Sequence, residues 1–290
     1  MQSLSPPARK GVPFVPGEAE NRIMVSLTQA VESLRTLEAE TTLIPGIDPE
    51  TGASLQVEAP AYLFRGEADI RWETTASSMR RFVDDESFSS STREMFVSAT
   101  KALDRVLQTR GLHPMYSAAL LQHYGLPTDV LDLTSSVSTA ASFATYKYVG
   151  PGRIMCFSLD SLRSELIVID LRRLSFARRP RLQQAYVIFH KSEPNLKAGK
   201  LVEKLQPRMI SFEATRAELK AFDRNDELWG LPDPTSGLLN MIARDEVIPN
   251  MDLSEEMRSQ VCAMIDARVP WSPVPMRPVD NGFEPAWDQF

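Results

Sequence analysis

The sequence has few of the residues that mark secreted or metal-binding proteins. It holds 2 cysteines and 3 histidines among 290 residues. Cys156 and Cys262 lie too far apart to suggest a disulfide framework, so we expect a reducing compartment. Histidines, cysteines and acids show no zinc-ligand spacing, and the sequence therefore predicts no metal cofactor.

Long apolar runs are lacking as well. No stretch approaches the length of about 18 apolar residues that a membrane-spanning helix needs. The N-terminus has prolines at positions 6 and 7 and no apolar core of a signal peptide. These absences predict a cytoplasmic protein with no membrane partner.

Several common catalytic motifs are missing too. The chain has neither type of glycine-rich phosphate loop and no Gly-x-Ser-x-Gly elbow, which disfavours kinases, classical hydrolases and dinucleotide-binding dehydrogenases. The formal net charge of -6 argues against general wrapping of nucleic acid.

The composition that remains is ordinary for a globular protein, with 43% hydrophobic and 24% charged residues. Helical periodicity predicts helices over 17–40, 92–108, 115–124, 137–148, 214–222, 237–243 and 254–267. Short β-branched or aromatic runs predict strands over 62–66, 153–159, 165–171, 185–190 and 208–212. Residues 41–60 are predicted as a loop, 130–133 as strand or loop, and 270–290 as an irregular or mobile arm. Because strands and helices do not alternate regularly, we expect an α+β fold with a central, mostly antiparallel or split sheet flanked by helices.

A first polar cluster is Phe-Arg-Gly at 64–66. The Arg65 guanidinium is a planar fork suited to phosphate or carboxylate. Gly66 permits close approach of a ligand or of another backbone. The alternative is an exposed arginine at the end of a strand.

A second cluster reads Gln-His-Tyr-Gly-Leu-Pro-Thr at 122–128. Its glycine and proline should end the preceding helix. Asp132 follows between two leucines, so we predict that its side chain is buried and hydrogen-bonded, either to the backbone amides of the 125–128 turn or to a ring nitrogen of His123. One of the three hydroxyl residues at 134–136 should cap the next helix. Each residue has a structural explanation, but together they indicate a site, and we predict that Arg65, Gln122, His123 and Asp132 converge on one cleft.

A basic run lies further along the chain. It is either a solvated face or a contact for an anion such as nucleic acid or a phosphorylated ligand. Its members are Arg172, Arg173, Arg178, Arg179 and Arg181.

The two polar clusters, with Leu-Asp-Leu-Thr at 131–134 and the small residues at 140–144, resemble the FRG domain, named for its Phe-Arg-Gly motif. The family's usual Arg and Trp are replaced here by Asp129 and Leu133. The family also tends to show an Arg followed by Gln before a late strand, which Arg-Leu-Gln-Gln at 181–184 resembles, with Ala185 in place of the usual glycine. The resemblance covers about 60–250. It divides the chain into an N-terminal extension with one helix at 1–59, the FRG domain at 60–250, and a C-terminal helix with a proline-rich tail at 251–290.

The resemblance implies a bacterial or phage context and a layout similar to ADP-ribosyltransferases. It implies an enzyme that uses NAD as a substrate and acts as a toxin or anti-phage defence effector. Its target would be a protein or a nucleic acid, and an antitoxin or sensor could be a partner. The same site could instead belong to a non-catalytic recognition module that senses a nucleotide or a phage or host protein.

Roles follow from that layout. Arg65 would hold the pyrophosphate, and Thr134 or Ser135 would orient the ribose. Gln183 or Gln184 would lie near the developing positive charge. His123 joins them in the catalytic set, and Gly66 and Gln122 join the NAD-binding set. A carboxylate is missing from these roles, and the candidates for it are Glu193, Glu203 and Glu213.

Overall fold

A mixed seven-stranded sheet forms the centre of the fold. The computed structural model describes residues 24–47, 54–70, 90–128, 130–146, 148, 150–174, 177–190, 204–222, 233–269, 276–279 and 282–285. In spatial order the strands are β1 Val25–Ser26, β9 Arg208–Glu213, β6 Gly152–Ser158, β4 Tyr62–Glu67, β5 Leu131–Thr134, β8 Ala185–His190 and β7 Leu166–Asp170. β1 is parallel to β9 and the other neighbours are antiparallel, which confirms the expected α+β fold with a mostly antiparallel sheet.

Helices and two hairpins complete the described part of the chain. The helices are α1 Leu27–Glu38, α2 Ser90–Thr109, α3 Pro114–His123, α4 Val137–Thr145, α5 Leu159–Glu165, α6 Arg178–Leu182, α7 Arg216–Phe222, α8 Pro234–Ile242 and α9 Glu255–Arg268. The hairpins pair β2 Thr41–Ile47 with β3 Ser54–Pro60, and β10 Met276–Val279 with β11 Gly282–Pro285. None of these helices is long and apolar enough to cross a membrane.

The sheet has one face covered by most of the helices. Two buried clusters lie there, one formed with α2, α3, α8 and α9 and the other with α1 and α4. The opposite face holds a third cluster with α5 and the β2–β3 hairpin, and Leu131 and Leu133 of β5 belong to it. Successive side chains of a strand point to opposite faces, so Asp132 and Thr134 point towards the helices.

The end of α3 confirms the predicted stop signal. Gly125 has φ 81 and therefore adopts the left-handed conformation that glycine tolerates. The amides of Gly125 and Leu126 donate to the carbonyls of Gln122 and Leu121, at 3.0 Å each. This pattern is a Schellman motif, which closes the helix and fixes where the chain goes next.

Helix α7 is tied to α1 by one carboxylate. Glu218 accepts hydrogen bonds from the amide and hydroxyl of Thr28, and from the amide and hydroxyl of Thr215. Slight burial raises the pKa of Glu218, but these bonds outweigh that effect and lower the pKa to about 2.

Several predicted boundaries were wrong. α1 begins at Leu27 and not at residue 17. The Ser26 side chain caps the helix, and Val25 and Ser26 form the short strand β1. Residues 41–47 and 54–60 pair as antiparallel strands where a loop was predicted, and Ile44 and Ala59 pack into the cluster on that face of the sheet. A second hairpin lies within 270–290, where an irregular arm was expected, and α5 and α6 were not predicted at all. Residues 17–23 fall outside the described chain.

Candidate functional site

The candidate site is built around a gap between β4 and β5. The two strands pair at Phe64 and Thr134, while β4 continues to Glu67 alongside β6. The Arg65 side chain spans the gap. Its NH1 group donates to the backbone oxygen of Asp132 at 2.8 Å and to Oδ1 of the same residue at 2.9 Å. A guanidinium thus takes the place of backbone hydrogen bonds between the two strands.

Arg65 belongs to a chain of four charged groups. Its Nε donates to Oε1 of Glu67 at 3.1 Å, and Arg153 Nε donates to Oε2 of the same carboxylate at 2.7 Å. The side chains of Arg65 and Glu67 are 4% exposed, that of Arg153 13% and that of Asp132 21%. The two cations offset the two carboxylates, and Asp132 is the member most accessible to solvent.

Burial works against the charge of Arg65, but its neighbours preserve it. Desolvation lowers the pKa of Arg65, and the nearby charges of Asp132 and Glu67 more than reverse this, so the pKa is raised overall. The alternative of an exposed strand-end arginine was therefore wrong. Arg65 lies inside β4, and it is a permanently charged buried residue with two acidic partners.

Gln122 holds Asp132 from the other side. Its Nε2 donates to Asp132 Oδ1 at 3.3 Å, and its Oε1 accepts from Thr128 Oγ1 at 2.8 Å. The turn after α3 therefore orients the Gln122 amide towards the carboxylate. Asp132 is hydrogen-bonded as predicted, but its side chain is one-fifth exposed instead of buried, and its carboxylate pairs with Arg65 and Gln122.

His123 lies beside Gln122 at the end of α3. Only 6% of the residue is exposed, and its Nδ1 lies 2.8 Å from Oε1 of Gln183. Burial lowers the pKa of His123, although the charge of Asp132 acts to raise it. The imidazole is thus neutral at pH 7.

The end of β5 is joined to the end of α6. Thr134 Oγ1 donates to the Gln183 backbone oxygen at 2.7 Å, and Ser135 Oγ donates to Oε1 of Gln184 at 3.0 Å. Thr134 and Gln183 are buried, whereas Gln184 is exposed. The residue that caps α4 is Ser136. The predicted site residues from four separate elements therefore do converge.

Gly66 has a packing role that decides between its two readings. A Cβ atom at this position would overlap the backbone oxygen of Ala140 in α4 and would lie 2.8 Å from the Ala144 amide nitrogen. The glycine thus allows another backbone to approach β4 closely, and this close approach seats α4 against the sheet.

Comparison with known families identifies one domain in the chain. A family model for the FRG domain matches residues 60–150. The chain contains an FRG domain. No curated protein and no solved structure matches the chain. The matched segment includes Arg65, Gln122, His123, Asp132 and Thr134, so most of the site is encoded within it. Gln183 and Gln184 lie beyond the matched segment and contact its residues His123, Thr134 and Ser135.

Glu67 and Arg153 were not among the predicted site residues. Alternation along a strand could have indicated Glu67, because it lies two residues after Arg65 and so shares its side of β4. The proposed carboxylate Glu213 is exposed at the end of β9, which is separated from β4 by β6. Glu193 and Glu203 lie outside the described residues. Within the described ranges, no group of three or more His, Cys, Asp or Glu is arranged to hold a metal ion.

The arginine run at 172–181, beyond the matched segment, divides into two groups. Arg172 pairs with Asp170, and Arg179 is 7% exposed with its guanidinium 4.7 Å from the centre of the Tyr124 ring. Arg173, Arg178 and Arg181 are exposed. The run is thus partly structural, and its exposed members lie on or next to α6, which leads to Gln183.

Proposed function

We propose that the FRG domain is the catalytic part of an NAD-dependent, ADP-ribosyltransferase-like enzyme. The observation that carries the proposal is the carboxylate of Asp132. It is partly exposed, it is held by a buried arginine and by Gln122, and its charge acts on the neutral imidazole of His123. Cleavage of nicotinamide from NAD builds positive charge on the ribose, and a fixed anion stabilises that charge.

Asp132 takes the role for which no carboxylate was evident in the sequence. Arg65 and Gln122 orient it, because each donates a hydrogen bond to its Oδ1 atom. Arg65 is less suited to hold the pyrophosphate, since Asp132 and Glu67 already offset its charge. A phosphate would add a negative charge beside two others. Arg65 is thus a positioning residue in this scheme.

The ribose-orienting groups stay a prediction. Ser135 and Gln184 are joined to each other, and Gln184 is exposed. Thr134 donates its hydroxyl proton to the Gln183 backbone oxygen, which leaves its lone pairs for a ligand or for the Ser136 amide. The roles of Thr134, Ser135 and Gln184 therefore depend on the proposed activity with NAD.

The direct test measures release of labelled nicotinamide from NAD by the full chain, with and without a bacterial lysate as a source of target. Asp132→Asn keeps the shape of the side chain and removes its charge, so release should fall by about 100-fold or more. Glu213→Gln, an exposed carboxylate on β9, should leave the rate unchanged. If the wild-type chain releases no nicotinamide in either condition, the proposal is wrong.

A recognition module is the second candidate, and the balance of charges favours it. Arg65 and Glu67 are 4% exposed and satisfy each other, as in a rigid binding framework. Such a module would bind NAD or ADP-ribose without turnover. Calorimetry that shows binding, combined with no release of nicotinamide, would select this candidate.

An enzyme of this kind would act as a toxin or an anti-phage effector, since it would consume NAD or modify a cellular target. A partner such as an antitoxin or a sensor would then restrain it. Induced expression of the wild-type chain in bacteria should stop growth and lower cellular NAD, whereas Asp132→Asn should not. Normal growth with unchanged NAD would contradict this biological role.

A further inference from the structure

The imidazole of His123 has one buried nitrogen that a ligand could satisfy. Nδ1 contacts Gln183, but Nε2 is buried and has no hydrogen-bond partner among the described residues. Buried polar atoms in folded proteins are nearly always paired, and exceptions concentrate at functional sites. The orphan atom belongs to the residue next to Gln122, which holds Asp132.

The contact with Gln183 determines what Nε2 can do. The Gln183 atom is a carbonyl oxygen, which only accepts, so Nδ1 must carry the proton. Nε2 of a neutral imidazole protonated at Nδ1 presents a lone pair. The orphan nitrogen is therefore an acceptor, and its partner must be a donor.

The surroundings restrict the kind of donor. His123 is only 6% exposed, and burial lowers its pKa. The ring is therefore uncharged and offers a ligand no positive charge. Arg179 lies near enough to lower the pKa further and donates to the His123 backbone oxygen at 3.4 Å. Asp132 and Arg179 act on the ring with opposite charges, so the surroundings do not call for a charged donor, and an uncharged N–H or O–H satisfies the lone pair of Nε2.

We infer that Nε2 of His123 accepts a hydrogen bond from an uncharged N–H or O–H group of the bound nucleotide, beside the carboxylate of Asp132. This inference rests on the proposed function, because NAD is the nucleotide that it concerns. NAD offers two such donors near its scissile bond, the nicotinamide carboxamide and the ribose hydroxyls. His123 is thus a ligand-binding residue that selects a neutral donor, and Gln183 is a positioning residue that sets its tautomer.

Nitrogen NMR of the full chain labelled with ¹⁵N-histidine tests both parts. His123→Asn assigns the His123 signals among the 3 histidines of the chain. In the free protein, Nδ1 should carry the proton and Nε2 should show an unprotonated resonance. Saturating NAD should shift the Nε2 resonance towards its hydrogen-bonded value. Nicotinamide and ADP-ribose, added separately, identify whether the carboxamide or a ribose hydroxyl is the donor.

Two substitutions separate the nitrogens. The amide of His123→Asn reaches the place of Nδ1, and the amide of His123→Gln reaches the place of Nε2. His123→Asn should therefore bind NAD about threefold to tenfold more weakly than wild type, as expected for loss of one neutral hydrogen bond. His123→Gln should bind with intermediate affinity. Thermal melts of both variants establish that they are folded.

The outcomes distinguish this inference from the proposed function. A proton on Nε2 of the free protein, or an unchanged Nε2 resonance when calorimetry shows that NAD is bound, overturns the inference alone. Equal NAD affinity of wild type and His123→Asn also overturns it. Absence of NAD binding, with the tautomer as expected, overturns the proposed function instead, and with it the identity of the donor.

Discussion

Replacing Arg65 by alanine should clearly lower the melting temperature of the protein. The guanidinium donates to Asp132 and Glu67 and spans the gap between β4 and β5. Breaking a buried ion pair by removing one partner costs about 3–5 kcal/mol. Glu67 keeps Arg153, and Asp132 is 21% exposed and can be hydrated, so the lower end applies, about 3 kcal/mol. For a chain of this size that is about 6–12 °C in melting temperature.

Arg65→Lys tests whether a positive charge at this position is sufficient for full stability. An ammonium on a flexible stem cannot reproduce the planar fork that contacts both strands, so about 2 kcal/mol should still be lost. A double-mutant cycle with Asp132→Ala should give a coupling energy of about 1–3 kcal/mol, because the two side chains are in direct contact.

The assay is chemical and thermal denaturation of the wild type and the Arg65 variants. Arg181→Ala is the matched control, since it removes an exposed arginine of α6 and should change stability by no more than about 0.5 kcal/mol. The reasoning fails if Arg65→Ala has the same melting temperature as the wild type and the control. In that case the ion chain would add nothing to stability, and Arg65 would be free to serve a ligand.

Three further predictions concern other parts of the structure. Gly66→Ala should lower the free energy of unfolding by more than about 3 kcal/mol, because its Cβ would overlap the backbone of α4. A Cβ at position 150 would contact no atom, so the control Gly150→Ala should have the melting temperature of the wild type. Equal melting temperatures of the two variants would contradict the packing argument. The lowered pKa of Glu218 adds stability that is complete above about pH 5 and is lost as pH falls from about 4 towards 2. Acid titration of Glu218→Gln should show a smaller loss than wild type, and identical acid curves would exclude this role. Tyr124→Phe should lower the urea midpoint by an amount equal to about 1–3 kcal/mol, because it leaves the buried Asp233 Oδ2 without its 2.7 Å bond, and an unchanged midpoint would count against it.

Local signals were enough to predict much of the frame. The apolar periodicity of 92–108 and 115–124 predicted α2 and α3 to within two residues at each end, and the Gly-Leu-Pro sequence predicted where α3 stops. These signals are local because helix periodicity and left-handed glycine depend on residues close in sequence. The pairing of β2 with β3 was missed because Ile44 and Ala59 gain their apolar partners only when the sheet forms.

The candidate site shows the same division. The sequence by itself determined which polar residues stand in apolar segments, Arg65, Gln122, His123 and Asp132, and hence that they need partners. Tertiary structure decided the partners: Arg65 bonds Asp132, which is 67 residues away in the chain, and His123 bonds Gln183, which is 60 away. A buried charge requires compensation, but its position in sequence does not say which strand or helix will supply it. That choice depends on the order of strands in the sheet, where β5 lies between β4 and β8, and this order is set by the packing of the whole core.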